Sequence, residues 1–550
     1  MGRDLATSPG RAGGGLGGGW WMAASLVLLG ALRGAGSEPT ADAATPAGRA
    51  PAPAASDPAA PGDTAGQRTP EASTAPPGGA ESADAGPTPA GAGPTPAGAG
   101  PTPADAGPTP AGAGPWRLAR ALDLPPWLHL TGGQRTRYEH LYNQFRAGAP
   151  GDDRALSLRT TVLLELRFDP VRVGVEVQDS RVYFVDDDTP VTTTEGNTFE
   201  VLQGYARLDL GHVLPWEGQG YLRAGRFTLD LCNRRLVARN RFRNTINSFT
   251  GVEGGWVTPA GWGVAGLAAL PVQRRPTDRD DLVDNDVVLD REREQVIFSG
   301  LVLSSPPVTA ARLAVEVYAF GLHERDGRDL PTANRRLLTP GVRVWRAPRR
   351  GDLDLELEAM LQVGRSRRGA GANDRRDLDH RAWALHAEAG YTFEVAGSPR
   401  LALELDAASG DRDPTDRRNG RFDPLFGARR FELGPTGLWG AIPRSNMIAP
   451  GGRVQLVPHA DVQVMAVYRA FFLAERRDAW TAARVQDPSG RSGRFVGHQL
   501  EGAVRWDVVP GVVRLEAGVT ALLRGRFARE APGSNPGDPV HLHAQVELSF

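Results

Sequence analysis

The chain contains no lysine. All 63 basic side chains are arginines, set against 64 acidic ones, for a net charge of −1 over 550 residues. That balance lacks the basic excess on which nucleic-acid binding depends, so no nucleic-acid partner is expected. There is one cysteine, Cys232, which excludes an intramolecular disulfide and any cysteine-based metal site. No uninterrupted apolar run reaches about 18 residues, so no membrane-spanning helix is expected. The G-x-S-x-G, P-loop and H-E-x-x-H patterns are missing. A hydrolase embedded in a β-framework would need a Ser–His pair, which spacing alone does not define. The expectation is therefore a non-enzyme without a cofactor.

What is present divides the chain in three. Arg3 and Arg11 precede WWMAASLVLLGAL (20–32), too short to span as a helix, and Ala35-Gly36-Ser37 offers a small-residue cleavage site. Residues 1–37 thus read as an export signal. No cysteine follows the apolar run, which disfavours a lipid anchor. Residues 38–115 are Ala, Pro, Gly, Thr and Asp with almost nothing large, and four copies of AGPTPA(G/D) fill 85–112. Such a segment cannot bury a core and is expected to be an extended periplasmic tether. Residues 116–550 form the third part.

Within it, alternation of apolar and polar residues recurs. In LDLELEAMLQV (353–363), Leu353, Leu355, Leu357, Ala359, Leu361 and Val363 share one face, and Asp354, Glu356, Glu358 and Gln362 the other. In VRVGVEVQ (171–178), four valines oppose Arg172, Glu176 and Gln178. Eighteen segments qualify as strands: roughly 126–139, 155–168, 170–183, 200–210, 219–230, 248–258, 261–271, 291–305, 309–323, 336–347, 351–364, 378–395, 398–409, 446–458, 459–475, 493–509, 511–525 and 538–550. Their length suits a tilted bilayer crossing of about 9–11 residues better than the usual soluble strand of about 5–6.

Connections after even strands are mostly tight, as at Asp169-Pro170 and Val509-Pro510; those after odd strands are mostly long and polar, as at 231–247 and 410–445. A soluble β-sandwich has no reason to keep loop length in step with strand parity. The expected fold is all-β: a single transmembrane antiparallel barrel of about 18 strands, with short periplasmic turns and long extracellular loops. The partner on its apolar face is outer-membrane lipid, and the location is the cell outer membrane. Trp127, Trp216, Trp256, Trp262, Trp345, Trp383 and Trp506 fall mostly near strand ends, as girdle aromatics do.

Three blocks then point to a family. SGDRDPTDRRNGRFDPLFG followed by IPRSNMIAPG (409–451), AGRFTLDLCNRRLVARNRFRNTINSFTGVEGGW (224–256) and FVGHQLEGAVRWDVVPGVVRLEAGVTALLRGRF (495–527) resemble the alginate export family. The resemblance covers about 120–550. It implies an eighteen-stranded outer-membrane channel that passes an anionic exopolysaccharide outward, with a periplasmic export scaffold and a monomeric barrel. Matching the motifs carries the pore-lining role onto Arg159, Arg181, Arg226, Arg234 and Arg235, with Glu176 and Asp179 as carboxylate partners. In the 410–445 loop, Phe422 and Phe426 read as anchors that fold a gating segment onto the barrel mouth, presenting Arg417, Arg418 and Arg421 to anionic sugar. The plainer reading of each charge is a hydrated lumen wall.

Other constellations carry less. His541 and His543 share a strand face, but no third metal ligand is indicated. Asp354, Glu356 and Glu358 are explained as lumenal acids. A passive porin for small solutes, or a structural or adhesive barrel tethered through 38–115, stand as alternatives. A plug-domain receptor is not expected, because no globular segment of that size precedes the strands.

Overall fold

The computed structural model describes residues 118–149, 151–186, 189–308, 310–327, 331–371 and 374–550. The expected export signal and tether lie outside the described residues. Among the described residues there are twenty strands: β1 (Leu128–Tyr142), β2 (Asp153–Phe168), β3 (Val171–Tyr183), β4 (Asn197–Asp209), β5 (Gln219–Phe227), β6 (Phe249–Val257), β7 (Gly263–Gln273), β8 (Arg291–Glu292), β9 (Val296–Ser304), β10 (Ala314–Glu324), β11 (Arg336–Arg346), β12 (Asp352–Ser366), β13 (Leu378–Thr392), β14 (Arg400–Ala408), β15 (Arg418–Asn419), β16 (Met447–His459), β17 (Val462–Phe472), β18 (Phe495–Val509), β19 (Val513–Arg524) and β20 (Val540–Ser549). β8 and β15 are two-residue strands at the rim. The other eighteen, each of 9 to 16 residues, make the wall.

Each wall strand pairs antiparallel with its neighbours, and β1 pairs with both β2 and β20, so the sheet closes. Closure matters because an open edge inside lipid would leave a row of unsatisfied peptide groups. At the seam, the Gly132 and Phe550 main chains exchange two hydrogen bonds of 3.0 Å.

The alternation explains the orientation. On β12, Leu361 is 61% exposed while Gln362 beside it is fully buried. The leucine and valine row has no protein partner and faces lipid, whereas the acidic row faces inward. Connections at one rim are short (169–170, 460–461, 510–512). At the other they run long (228–248, 274–295, 409–446, 473–494). These are the periplasmic and extracellular sides respectively.

Three expectations are corrected in detail. The segment expected as one strand at 291–305 breaks at 293–295, since β8 pairs with β7 alone before β9 joins the wall. The strand expected at 309–323 begins at Ala314. Trp345 is no girdle residue: it is buried on the inward face, with the Arg343 guanidinium 4.1 Å from its ring centre. Trp127, Trp262, Trp383 and Trp506 are exposed.

Inward-facing glycines let large rings lie flat against the wall. Tyr205 pairs directly with Gly174, Phe320 with Gly300 and Tyr318 with Gly341. A Cβ on Gly174 would stand 2.5 Å from the Tyr205 ring, and one on Gly300 would stand 2.6 Å from Phe320. Covering a strand glycine with a cross-strand aromatic pins register. Gly341→Val is therefore expected to displace the Tyr318 ring and break its hydroxyl's bond to Glu358, costing about 1–3 kcal/mol as overpacking does. The midpoint of urea unfolding in detergent checks this. A midpoint equal to wild type would show that the pairing does not hold the wall.

Candidate functional site

Two of the long loops do not stay outside. Residues 228–248, between β5 and β6, and 409–446, between β14 and β16, turn into the lumen and are largely buried. They join each other first. Phe426 N–H donates to the Leu236 carbonyl (2.9 Å), Ala238 N–H to the Phe426 carbonyl (3.1 Å) and Ala428 N–H to the Arg234 carbonyl (2.7 Å). The Phe426 ring then packs against Phe249 and Phe298 of the wall, with centres 5.2 and 5.1 Å apart. Phe422 is buried as well, its carbonyl accepting from the Ser445 hydroxyl at 3.0 Å. These two phenylalanines anchor the segment inside the barrel rather than at its mouth.

The polar inner wall holds this plug from several sides. From β1, Arg135 donates to the carbonyls of Arg241 and Phe242 (both 2.8 Å) and of Arg243 (2.7 Å). From β2, Arg159 donates to those of Arg241 (2.5 Å) and Arg243 (2.8 Å). Arg239 pairs with Glu176 of β3 at 2.6 Å. Asn244 donates to three carbonyls, those of Leu158, Arg181 and Glu195. Across the lumen, Arg235 meets Glu356 and Glu358 of β12 at 2.5 Å, and Glu432 of the second loop at 3.0 Å. Arg430 reaches Glu501 of β18 at 2.5 Å. The Phe242 ring sits between two guanidinium groups, Arg137 at 3.7 Å and Arg430 at 4.7 Å.

Arg335, just before β11 at its extracellular end, ties the second loop to the wall through Asp423 (2.9 Å). Burial alone would push the Asp423 carboxyl up, but the Arg335 guanidinium outweighs it and holds the group below its ordinary range. Beside the first loop lies a cavity of about 60 Å³, bounded by Arg159, Arg239, Arg241, Glu176 and Glu547 among others.

The expected site residues divide accordingly. Arg159, Glu176 and Arg235 lie inside, and Arg234 belongs to the plug, half-buried. Asp179 and Arg181 do not line the lumen. On β3 the buried parity is Glu176, Gln178, Ser180 and Val182, which puts Asp179 and Arg181 on the outer face with the valines, bonded to each other at 3.0 Å. Arg226 is likewise off the lumen. It falls on the face of Leu222, opposite the buried Arg223 and Phe227, and is held by Glu200 (2.6 Å) and Glu292 (2.8 Å). In the 410–445 loop, Arg421 bonds Asp478, while Arg417 and Arg418 are exposed. His541 and His543 are buried against Glu139 and Glu516. Sequence reasoning missed Arg135, Arg137, Arg239 and Arg430. The first two were within reach, since they alternate with Gln134 and Thr136.

A closed barrel with a lipid belt, long loops at one rim and a charged lumen crossed by its own loops is an outer-membrane channel protein. The alginate export family matches residues 126–538, and the chain belongs to it. A search of curated proteins finds no match. Among solved structures, the barrel is similar to OccK9 (OpdG) of Pseudomonas aeruginosa (TM-score 0.50, 14% identity, 77% of this chain and 98% of that one). It is also similar to a BenF-like porin from Pseudomonas fluorescens Pf-5 (TM-score 0.49, 13% identity, 76% and 99%). At such identity the likeness is one of fold.

Two predictions follow from this geometry. Arg235→Ala leaves two buried carboxylates, Glu358 and Glu432, and the half-buried Glu356 short of a shared cation, a change that costs about 3–5 kcal/mol when a buried pair is broken. Residues 228–248 and 409–446 are expected to become at least about tenfold more sensitive to limited proteolysis in detergent, as a loss of that size allows. Wild-type resistance would mean the plug does not depend on this cation.

The second concerns the 274–295 loop, outside the spanning strands. Burial and the nearby Glu200 carboxylate push Asp290 from the ordinary 3.8 up to about 7. The folded loop thus holds that proton more tightly than the open one. Its stabilisation is complete below about pH 4 and is lost as pH rises through about 7. Amide protection at Arg275, whose N–H Asp290 accepts at 2.8 Å, should fall over that window, and Asp290→Asn should abolish the dependence.

Proposed function

We propose that this channel passes an anionic polysaccharide outward, with the arginines around the plug as its selective element. The observation that carries the reading is the gathering of guanidinium donors where the first loop meets β1 to β3: Arg135, Arg159, Arg239 and Arg241, of which the last three border the 60 Å³ cavity. A polyuronate presents a carboxylate on every ring. Arginine's planar fork matches that group, and a series of such donors lets each contact be weak enough to exchange. Membership of the alginate export family supports the same cargo class.

The plug loops lie in the lumen and are bonded to its wall on both sides, so on this reading the plug shifts to let the polymer pass. Its main-chain carbonyls then release Arg135 and Arg159, which become available to the polymer. Arg417 and Arg418, exposed at the outer rim, meet the emerging chain. On this reading residues 1–37 direct export, 38–115 tether the barrel within the periplasm, and a periplasmic scaffold delivers polymer to a monomeric channel.

Planar-bilayer conductance of the refolded full chain, with and without polymannuronate or polyguluronate, tests the reading. Expected are anion selectivity and block by micromolar polymer. Deleting 411–430, which removes Phe422 and Phe426, should raise conductance and weaken block. A large conductance indifferent to polymer would favour a passive porin instead. A barrel that never conducts would favour a structural role.

A further inference from the structure

The outward rim of β10 to β13 carries an arrangement that lipid alone does not explain. At the extracellular end, directly paired residues form a row across four strands: His323 opposite Arg336, Arg336 opposite Arg365, and Arg365 opposite Asp379. Arg381 stands diagonally below, opposite Val363, and Arg418 of β15 pairs beside Asp379. All six side chains are exposed. The row ends the lipid-facing belt of Leu338, Val363 and Leu361. Arg381 stands two residues above Trp383, about 7 Å along the strand. It is therefore at headgroup level, where girdle aromatics give way to the polar surface.

Two arginines directly opposite on one face repel each other. Elsewhere on the outward rim Arg154 pairs with Asp186, Arg181 with Asp179, and Arg226 with Glu200 and Glu292. Here four guanidinium groups share Asp379, which lies 3.9 Å from Arg365 with both side chains mostly exposed. Arg336 touches only the Asn334 side-chain oxygen, at 3.4 Å. The missing partner is anionic, and the position faces the outer leaflet.

We propose that this rim binds the phosphate groups of a phosphorylated glycolipid of the outer leaflet. Arg336 and Arg365 clamp one phosphate, and Arg381 contacts its neighbour or the inner sugar. Planar guanidinium groups take phosphate oxygens in pairs. The acyl chains then lie down the Leu338, Val363, Leu361 and Trp383 surface. The site is independent of the lumen and of any cargo.

The test uses the full chain in detergent, incubated with bis-phosphorylated lipid A, separated by gel filtration and assayed for lipid per chain by mass spectrometry. Wild type is expected to retain lipid A, and Arg336→Gln/Arg365→Gln/Arg381→Gln to retain at least tenfold less. Arg154→Gln, on the same rim, should retain it as wild type does. Lipid A stripped of both phosphates should not be retained. Equal retention by the triple variant, or retention of the dephosphorylated lipid, overturns the proposal. Displacement by millimolar inorganic phosphate would assign the site to a free anion and overturn the lipid. The heat-shifted band on gels verifies that the variant folds. Should it not fold, binding by wild type at 50 and 500 mM salt decides: retention that does not fall with salt is incompatible with a phosphate clamp.

Discussion

Lipid claims one face of every wall strand, and that constraint governs the rest of the molecule. A strand that gives its leucines to the membrane must turn its charges inward, where water is scarce and an isolated ion is costly. The interior is accordingly a lattice of arginine–carboxylate pairs. Glu404 receives Arg453 and Arg469, Glu356 receives Arg235 and Arg343, and Glu253 receives Arg223. Arginine is suited to this because it presents several donors in a fixed plane and keeps its charge when buried. A lysine in the same place would offer a point charge that burial can neutralise.

The lattice explains why the loops belong inside. Arg135 and Arg159 have donors to spare, and the carbonyls of 241–243 accept them. The first loop completes one side of the wall, and through Arg235 it completes the other. The second loop contributes Glu432 and the apolar seam of Phe422 and Phe426. What resembles a hydrophobic core in the middle of the barrel is thus made by loop residues meeting inward-facing wall aromatics, with the ion pairs ringed around it.

Much of the wall was legible because alternation is a local signal. On β12, the residues from Leu353 to Val363 have the faces that their sequence predicts. The same alternation, continued along β3, places Asp179 and Arg181 outside; their assignment to the lumen came from motif resemblance and ran against it. Arg226 was harder, because Gly225 has a φ of +120° there and the neighbouring strands slip register nearby. The plug was not legible as a plug. Phe422 and Phe426 stand out as large residues in a charged loop, which signals anchoring, but nothing periodic tells inward from outward. Long-range pairings such as Arg235 with Glu358 depend on closure of the whole sheet.

Both plug loops leave and re-enter the wall through adjacent strands, β5 with β6 and β14 with β16. Neither can be expelled; each can only swing on its two ends. Re-seating is then a first-order event, driven by an effective local concentration in the millimolar range typical of short tethers. It is indifferent to how many channels the membrane holds or what surrounds them. A plug tied at both ends in this way is part of the wall it fills, and no separate stopper has to be found and returned.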